Sequence, residues 1–110
     1  MTVHDNAASL GPWRDAISAN ARSAWNAAPL ARNRAVAIGM QFFFLRPKSA
    51  SARKRPYMTV KRDVDKLARA VLDALTGIVY EDDAQVVVLT AAKDYVEQNR
   101  GVKIHVDAIR

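Results

Sequence analysis

Four carboxylates, Asp63, Asp65, Asp82 and Asp83, sit near the two ends of residues 61–86, KRDVDKLARAVLDALTGIVYEDDAQV, in a chain where 17 lysines and arginines outnumber 11 acids. Acids drawn together against a basic background repel one another unless a cation neutralises them. Oxygen-only ligands suit Mg²⁺ or Mn²⁺, and a chain with no cysteine and two histidines offers little to a softer metal. Hard metals held by carboxylates serve phosphoryl transfer, activating water and stabilising the leaving oxygen. The same acids also admit a plain reading, as a helix cap and a solvated turn. Spacing alone leaves both readings open.

These acids need elements to position them. Val64, Leu67, Ala68, Val71 and Leu75 form one stripe at helical spacing, with Asp65, Lys66, Arg69 and Asp73 on the other side. That pattern predicts a helix with Asp63 as its N-cap, Asp65 in the first turn and Gly77 ending it. The chain then passes Ile78, Val79, Tyr80 and Glu81 to Asp82 and Asp83, which stand just before an apolar strand opening near Val86. The second acidic pair is thereby brought within possible reach of the first.

The ordered set Asp63, Asp65, the D-A-L block ending at Leu75, Gly77 and the D-D-x-Q-V element over 82–86 resembles the signature of the RusA-type Holliday junction resolvases. The R-P-K-S beginning at Arg46 is similar to the segment that follows the second strand in many of them. The resemblance implies a Mg²⁺-dependent endonuclease, with Mn²⁺ as a substitute, that nicks four-way DNA junctions in pairs as a homodimer. It is a family of recombination and repair, often carried by phages and prophages. The family's metal-binding aspartates fall on Asp63, Asp65 and Asp83, with Asp82 beside them. Lys66 stands where the family usually has Asn, and Arg69 where it usually has a functional Lys. Arginine holds a phosphate or stabilises charge but stays protonated, so Arg69, aided by Lys66, replaces that lysine only if its work is done by charge. An alternative reading is a catalytically impaired module that binds junctions, and a third is a small partner-binding protein whose acids only cap a helix.

Composition sets the outer bounds. A chain of 110 residues, half of them hydrophobic, is one domain with a sizeable core. No apolar run approaches a membrane span, the N-terminus lacks a signal-peptide core, and the lack of cysteine excludes disulfides, so a cytoplasmic protein is expected. A net charge of +6 favours a polyanionic partner. Its distribution is sharper than its sum: Arg46, Lys48, Arg53, Lys54, Arg55, Lys61 and Arg62 fall in one stretch without an acid. Composition alone reads this stretch as a solvated loop as readily as a DNA grip; its place before Asp63 favours phosphate tracking.

In chain order, residues 1–11 read as a flexible, irregular tail holding a lone His4, ahead of an endonuclease domain over 12–110. Pro12 opens a helix that Pro29 ends, with Trp13, Ile17, Ala21, Ala24 and Ala28 as its apolar stripe and Arg14 and Arg22 in solvent. Both Trp13 and Trp25 are assigned to the core rather than to base stacking. Residues 35–45, AVAIGMQFFFL, are apolar at both alternating sets, which predicts a central strand covered on two sides. Tyr57 lies in a flexible arm, as a local packing residue or a nucleotide contact. Residues 85–93 and 102–109 read as strands, the latter alternating with Lys103, His105 and Asp107 outward; Asn99, Arg100 and Gly101 suggest a hairpin making these two antiparallel neighbours. The sum is an α+β domain, a mixed β-sheet with two main helices, missing the first strand that RusA-like proteins carry before the first helix.

Overall fold

The computed structural model describes residues 1–4 and 10–110. In chain order these form β1 (Thr2–His4), α1 (Leu10–Ala24), β2 (Val36–Leu45), α2 (Val64–Leu75), a single 3₁₀ turn (Asp83–Gln85), β3 (Val86–Val96) and β4 (Gly101–Ala108). Among the described residues the strands make one sheet in the order β1-β4-β2-β3, with β2 antiparallel to β4 and parallel to β3. This is an α+β domain with two helices and a mixed sheet.

The core lies between the helices and one face of the sheet. Val36, Ile38, Met40 and Phe42 of β2 and Val102 and Ile104 of β4 are buried against Trp13, Ile17 and Ala21 of α1 and Leu67, Val71 and Leu75 of α2. Trp13 tilts against Phe42 with ring centroids 5.5 Å apart, and Ser18 Oγ donates to the Ala74 carbonyl at 2.9 Å, joining the helices. Trp25 packs half-buried on the core edge, so both tryptophans serve packing.

Four expectations are corrected. The first helix starts at Leu10 and stops at Ala24, so Ala24 and Ala28 are exposed and Pro29 lies beyond its end. Residues 1–11, read as irregular, carry β1, which pairs Thr2–His4 with β4 and supplies the sheet edge thought to be missing; residues 5–9 of the expected tail lie outside the described residues. Among the described residues no layer covers the second face of β2: Gln41, Thr90, Ala92, Lys103 and His105 stand exposed around a half-buried Gly39. Ala37 and Gly39 are apolar in kind but offer little area to bury, so helices on the large-residue face satisfy this strand. Finally, β3 and β4 form no hairpin, because β2 lies between them. A four-residue link reaches about 13 Å while two strand spacings take about 9.6 Å, so residues 97–100 can step over the end of β2 as easily as turn back.

Local signals in α2 hold. Asp63 is its N-cap residue, Thr76 its C-cap, and Gly77 follows at φ 83. A Cβ there meets nothing within 4 Å, so the left-handed backbone, not space, calls for glycine. The return turn is locked by Tyr80, which is fully buried and donates its hydroxyl to the Leu72 carbonyl at 2.8 Å. Burial pushes the Tyr80 phenol up to about 12. A raised folded-state pKa gives stability that is fully present below the unfolded value of about 10 and lost as pH rises towards 12, on the order of 2–3 kcal/mol. Tyr80→Phe is therefore expected to cost about 1 kcal/mol near neutrality, yet to exceed the wild type in urea-melt stability above about pH 12.

Candidate nuclease site

Each acid reaches its place through a local rule. At the start of α2 the backbone of Asp63 is extended, φ −71 and ψ 136, as an N-cap requires, but its side chain makes no capping hydrogen bond. An N-cap aspartate ordinarily spends its carboxylate on the backbone N–H of the first turn. Here the carboxylate is 59% exposed, with Lys66 Nζ at 3.9 Å. Asp65 lies exposed in the first turn, and Asp65, Arg69 and Asp73 follow at four-residue steps, which sets them along one side of the helix.

Arg69 ties this side of α2 to the 3₁₀ turn. Its Nη1 donates to Asp83 Oδ2 and lies 3.6 Å from Asp73 Oδ1. The hydrogen bond and charge of Asp83 hold the guanidinium pKa above its ordinary value. Asp83 therefore contacts α2 at Arg69, whose place on the helix is one turn from Asp65 on one side and from Asp73 on the other. The two acidic segments that the sequence set within possible reach are linked through Arg69.

The neighbouring acid does different work. Asp82 is the N-cap of the 3₁₀ turn: its Oδ1 accepts from Ala84 N at 3.0 Å, while Gln85 Oε1 accepts from the N–H groups of Glu81 and Asp82, both at 2.9 Å. Its Oδ2 pairs with Arg32 Nη1 at 3.3 Å. The backbone hydrogen bond from Ala84, helped by the charge of Arg32, holds the Asp82 carboxyl below the usual range. Both of its oxygens are engaged in shaping the turn.

Gln85, 5% exposed, is the clasp of this turn. Beyond its two acceptor bonds, its Nε2 donates to the carbonyls of Leu30, Ala31 and Arg34 at 3.2, 2.8 and 3.1 Å. Arg32 N also donates to Glu81 Oε2 at 3.1 Å. Sequence reasoning saw the glutamine only as part of a signature; its burial next to two acids is what gives it a structural task.

Among the described residues, no three of His, Cys, Asp or Glu converge closely enough to hold a metal as they stand. The donor chemistry nonetheless fits a hard divalent cation. Among the described residues, no backbone N–H claims the carboxylates of Asp63, Asp65 and Asp83, and Arg69 takes Asp83 Oδ2 while leaving Oδ1. Asp82 is the acid whose oxygens are already taken.

The basic stretch divides in a similar way. Arg46 is scaffold: with its side chain 13% exposed, Nη1 donates to the carbonyls of Ala50 at 3.4 Å and Arg55 at 2.6 Å, Nε approaches Glu97 at 3.4 Å, and the guanidinium lies 4.7 Å from the Tyr95 ring centroid. Ala50 and Met58 are buried, which pins the arm at two points. Lys48, Arg53, Lys54, Arg55 and Lys61 are exposed, Arg62 is half-buried, and Tyr57 stands in solvent rather than packing locally. His105 is exposed on the uncovered sheet face, away from the acids.

One cation escaped the sequence reading. Lys93 of β3 lies on the helix side of the sheet, paired with Phe42, and its Nζ donates to the carbonyls of Val60 at 2.6 Å and Arg62 at 2.7 Å. The available signal was a charge at an inward register position between Ala91 and Tyr95.

No described helix is long and apolar enough to cross a membrane. The family model described as endodeoxyribonuclease RusA matches residues 5–107. The chain is also 48% identical over 42 residues to the uncharacterized protein YqaN of Bacillus subtilis (strain 168); the match covers 38% of this chain and 30% of that relative, under a third of its length.

Proposed function

The chain belongs to the endodeoxyribonuclease RusA family, and from that premise we propose that it is a divalent-metal-dependent, structure-selective endonuclease that resolves four-way DNA junctions. The observation that carries the reading is the pair of aspartates with no backbone duty: Asp63, at an N-cap position without a capping bond, and Asp83, held against α2 by Arg69. A plain capping role leaves both unexplained.

Asp63, Asp65 and Asp83 would hold the ion, Mg²⁺ or Mn²⁺, with Asp82 keeping the turn that presents Asp83. When bound, such an ion supplies Lewis-acid activation of water and charge neutralisation at the phosphate. The exposed Lys48, Arg53, Lys54, Arg55 and Lys61 hold backbone phosphates, which sets the register of the DNA without reading its bases. Arg69 and Lys66 place positive charge where negative charge grows on the phosphate oxygens during cleavage. Arg69 remains a charge donor throughout, since guanidinium does not release its proton in this range. A junction has two-fold symmetry, so paired nicks call for a homodimer with two such sites.

The test is cleavage of a labelled synthetic four-way junction beside linear duplex, with Mg²⁺ and with chelator. Symmetric, metal-dependent nicks on the junction are expected, with Arg69→Lys within about tenfold of wild type and Arg69→Ala lower by on the order of 100-fold. Junction binding without cleavage at any metal concentration would overturn the reading in favour of a binding module. A shallow fall of affinity with salt would remove the DNA partner itself, since several phosphate contacts make log K drop steeply with log salt.

A further inference from the structure

We propose that Lys93 is a positioning residue for the nuclease site, fixing the segment that delivers Asp63 to it. The inference rests on the nuclease reading above and adds a residue outside its acidic and basic stretches.

Three observations carry it. Lys93 makes two short charge-assisted bonds, to Val60 O at 2.6 Å and Arg62 O at 2.7 Å, and these carbonyls bracket Lys61 and end one residue before Asp63. The Asp63 side chain adds little to this: it makes no cap bond and its Lys66 pair is long and exposed, while its carbonyl accepts from Leu67 N at 3.1 Å and so fixes the helix start rather than the segment before it. Finally, the held segment forms the wall of a groove of about 360 Å³ lined by Lys61, Arg62, Asp63, Lys66 and Leu67, where an acid meets three cations.

The chemistry suits lysine. Its long stem spans from β3 to the arm, and the ammonium, a donor of up to three hydrogen bonds, reaches the carbonyls of Val60 and Arg62 outside any helix or strand. Two anchored carbonyls one residue apart in their spacing fix the direction in which the intervening Lys61 and the following Asp63 leave the chain. Without the anchor the arm still ends in α2, but the direction from which Asp63 enters the helix is no longer fixed. A misplacement of about 1 Å at a reacting centre costs on the order of 100-fold in rate.

The test uses the full chain carrying Lys93→Met or Lys93→Arg. For Lys93→Met we expect single-turnover junction cleavage slower by on the order of 100-fold, junction Kd changed by less than about threefold, and an unchanged salt slope. Lys93→Arg, which keeps a cation able to reach both carbonyls, is expected to recover at least about tenfold of the loss. Amide exchange over residues 60–65 should quicken in Lys93→Met while β2 stays protected. Wild-type cleavage by Lys93→Met overturns the proposal, as does a salt slope reduced by about one, which would make Lys93 a phosphate contact instead. Faster exchange throughout the sheet in both variants would also overturn it, marking a general fold residue. If the wild type itself does not cleave, the nuclease reading fails, and exchange over 60–65 alone decides whether Lys93 holds the segment.

Discussion

Asp83→Asn should lower metal-dependent junction cleavage by at least about a thousandfold, some 4 kcal/mol of barrier, while junction affinity holds or tightens. The substitution keeps shape and leaves an oxygen to accept from Arg69, so the 3₁₀ turn stays docked on α2. What it removes is the negative charge that a divalent ion needs, and with it some repulsion of the DNA backbone. Asp65→Asn should behave alike. The informative contrast is Asp82→Asn, one residue away. Asp82 works as an N-cap, accepting from Ala84 N, and asparagine caps as well as aspartate. Cleavage by Asp82→Asn is therefore expected within about tenfold of wild type. Equal collapse in both variants would mean that the turn as a whole, not the Asp83 charge, is what cleavage requires.

Gln85→Leu is expected to destabilise the fold by about 3 kcal/mol. The side chain is buried and engages five partners, its oxygen accepting from two N–H groups and its two amide hydrogens shared among three carbonyls. Leucine fills similar volume, so the loss is not a cavity; it is two N–H groups and three carbonyls left short of partners, each costing about 1–3 kcal/mol where water cannot enter. The carbonyls at the rim regain water, which keeps the sum near the lower end. In thermal melts this corresponds to a fall in Tm on the order of 10 °C. Gln85→Glu should fare no better, because a carboxylate would face the carbonyls of Leu30, Ala31 and Arg34 with no hydrogen to give. A loss below about 1 kcal/mol in either variant would show that residues 30–34 and the acidic turn hold together without the clasp.

The elements legible in the sequence were those whose signals are local. The α2 stripe, Asp63 at the cap position and Gly77 beyond the end follow from helical period and backbone handedness, and the alternation of β4 from the strand period. What failed was non-local. Which strand lies beside β4 depends on the whole sheet, and a link of four residues between β3 and β4 fits either answer. The open face of β2 escaped because hydropathy counts Ala37 and Gly39 as apolar without weighing their area. Within the site, adjacency hid a division of labour: Asp82 and Asp83 read alike until the turn geometry aims one at Ala84 and the other at Arg69. Arg46 likewise reads as one more surface cation, and its scaffold role emerges only when β3 brings Tyr95 and Glu97 beside it.

The parallel pairing of β2 with β3 places every candidate site residue in the connection between them, residues 46–85, or on β3 itself. Parallel strands must close such a loop before any of their hydrogen bonds form, so this pairing is entropically late in folding. β3 is also an outer strand of the described sheet, with β2 as its neighbour. A brief opening of that edge would carry away the Lys93 anchor and loosen the turn bearing Asp83 while the helices and the β4-β2 ladder stay together. On the proposed reading, such an opening would set the lifetime of the site below that of the folded domain, and contacts that clamp the β3 edge would lengthen it without touching an acid.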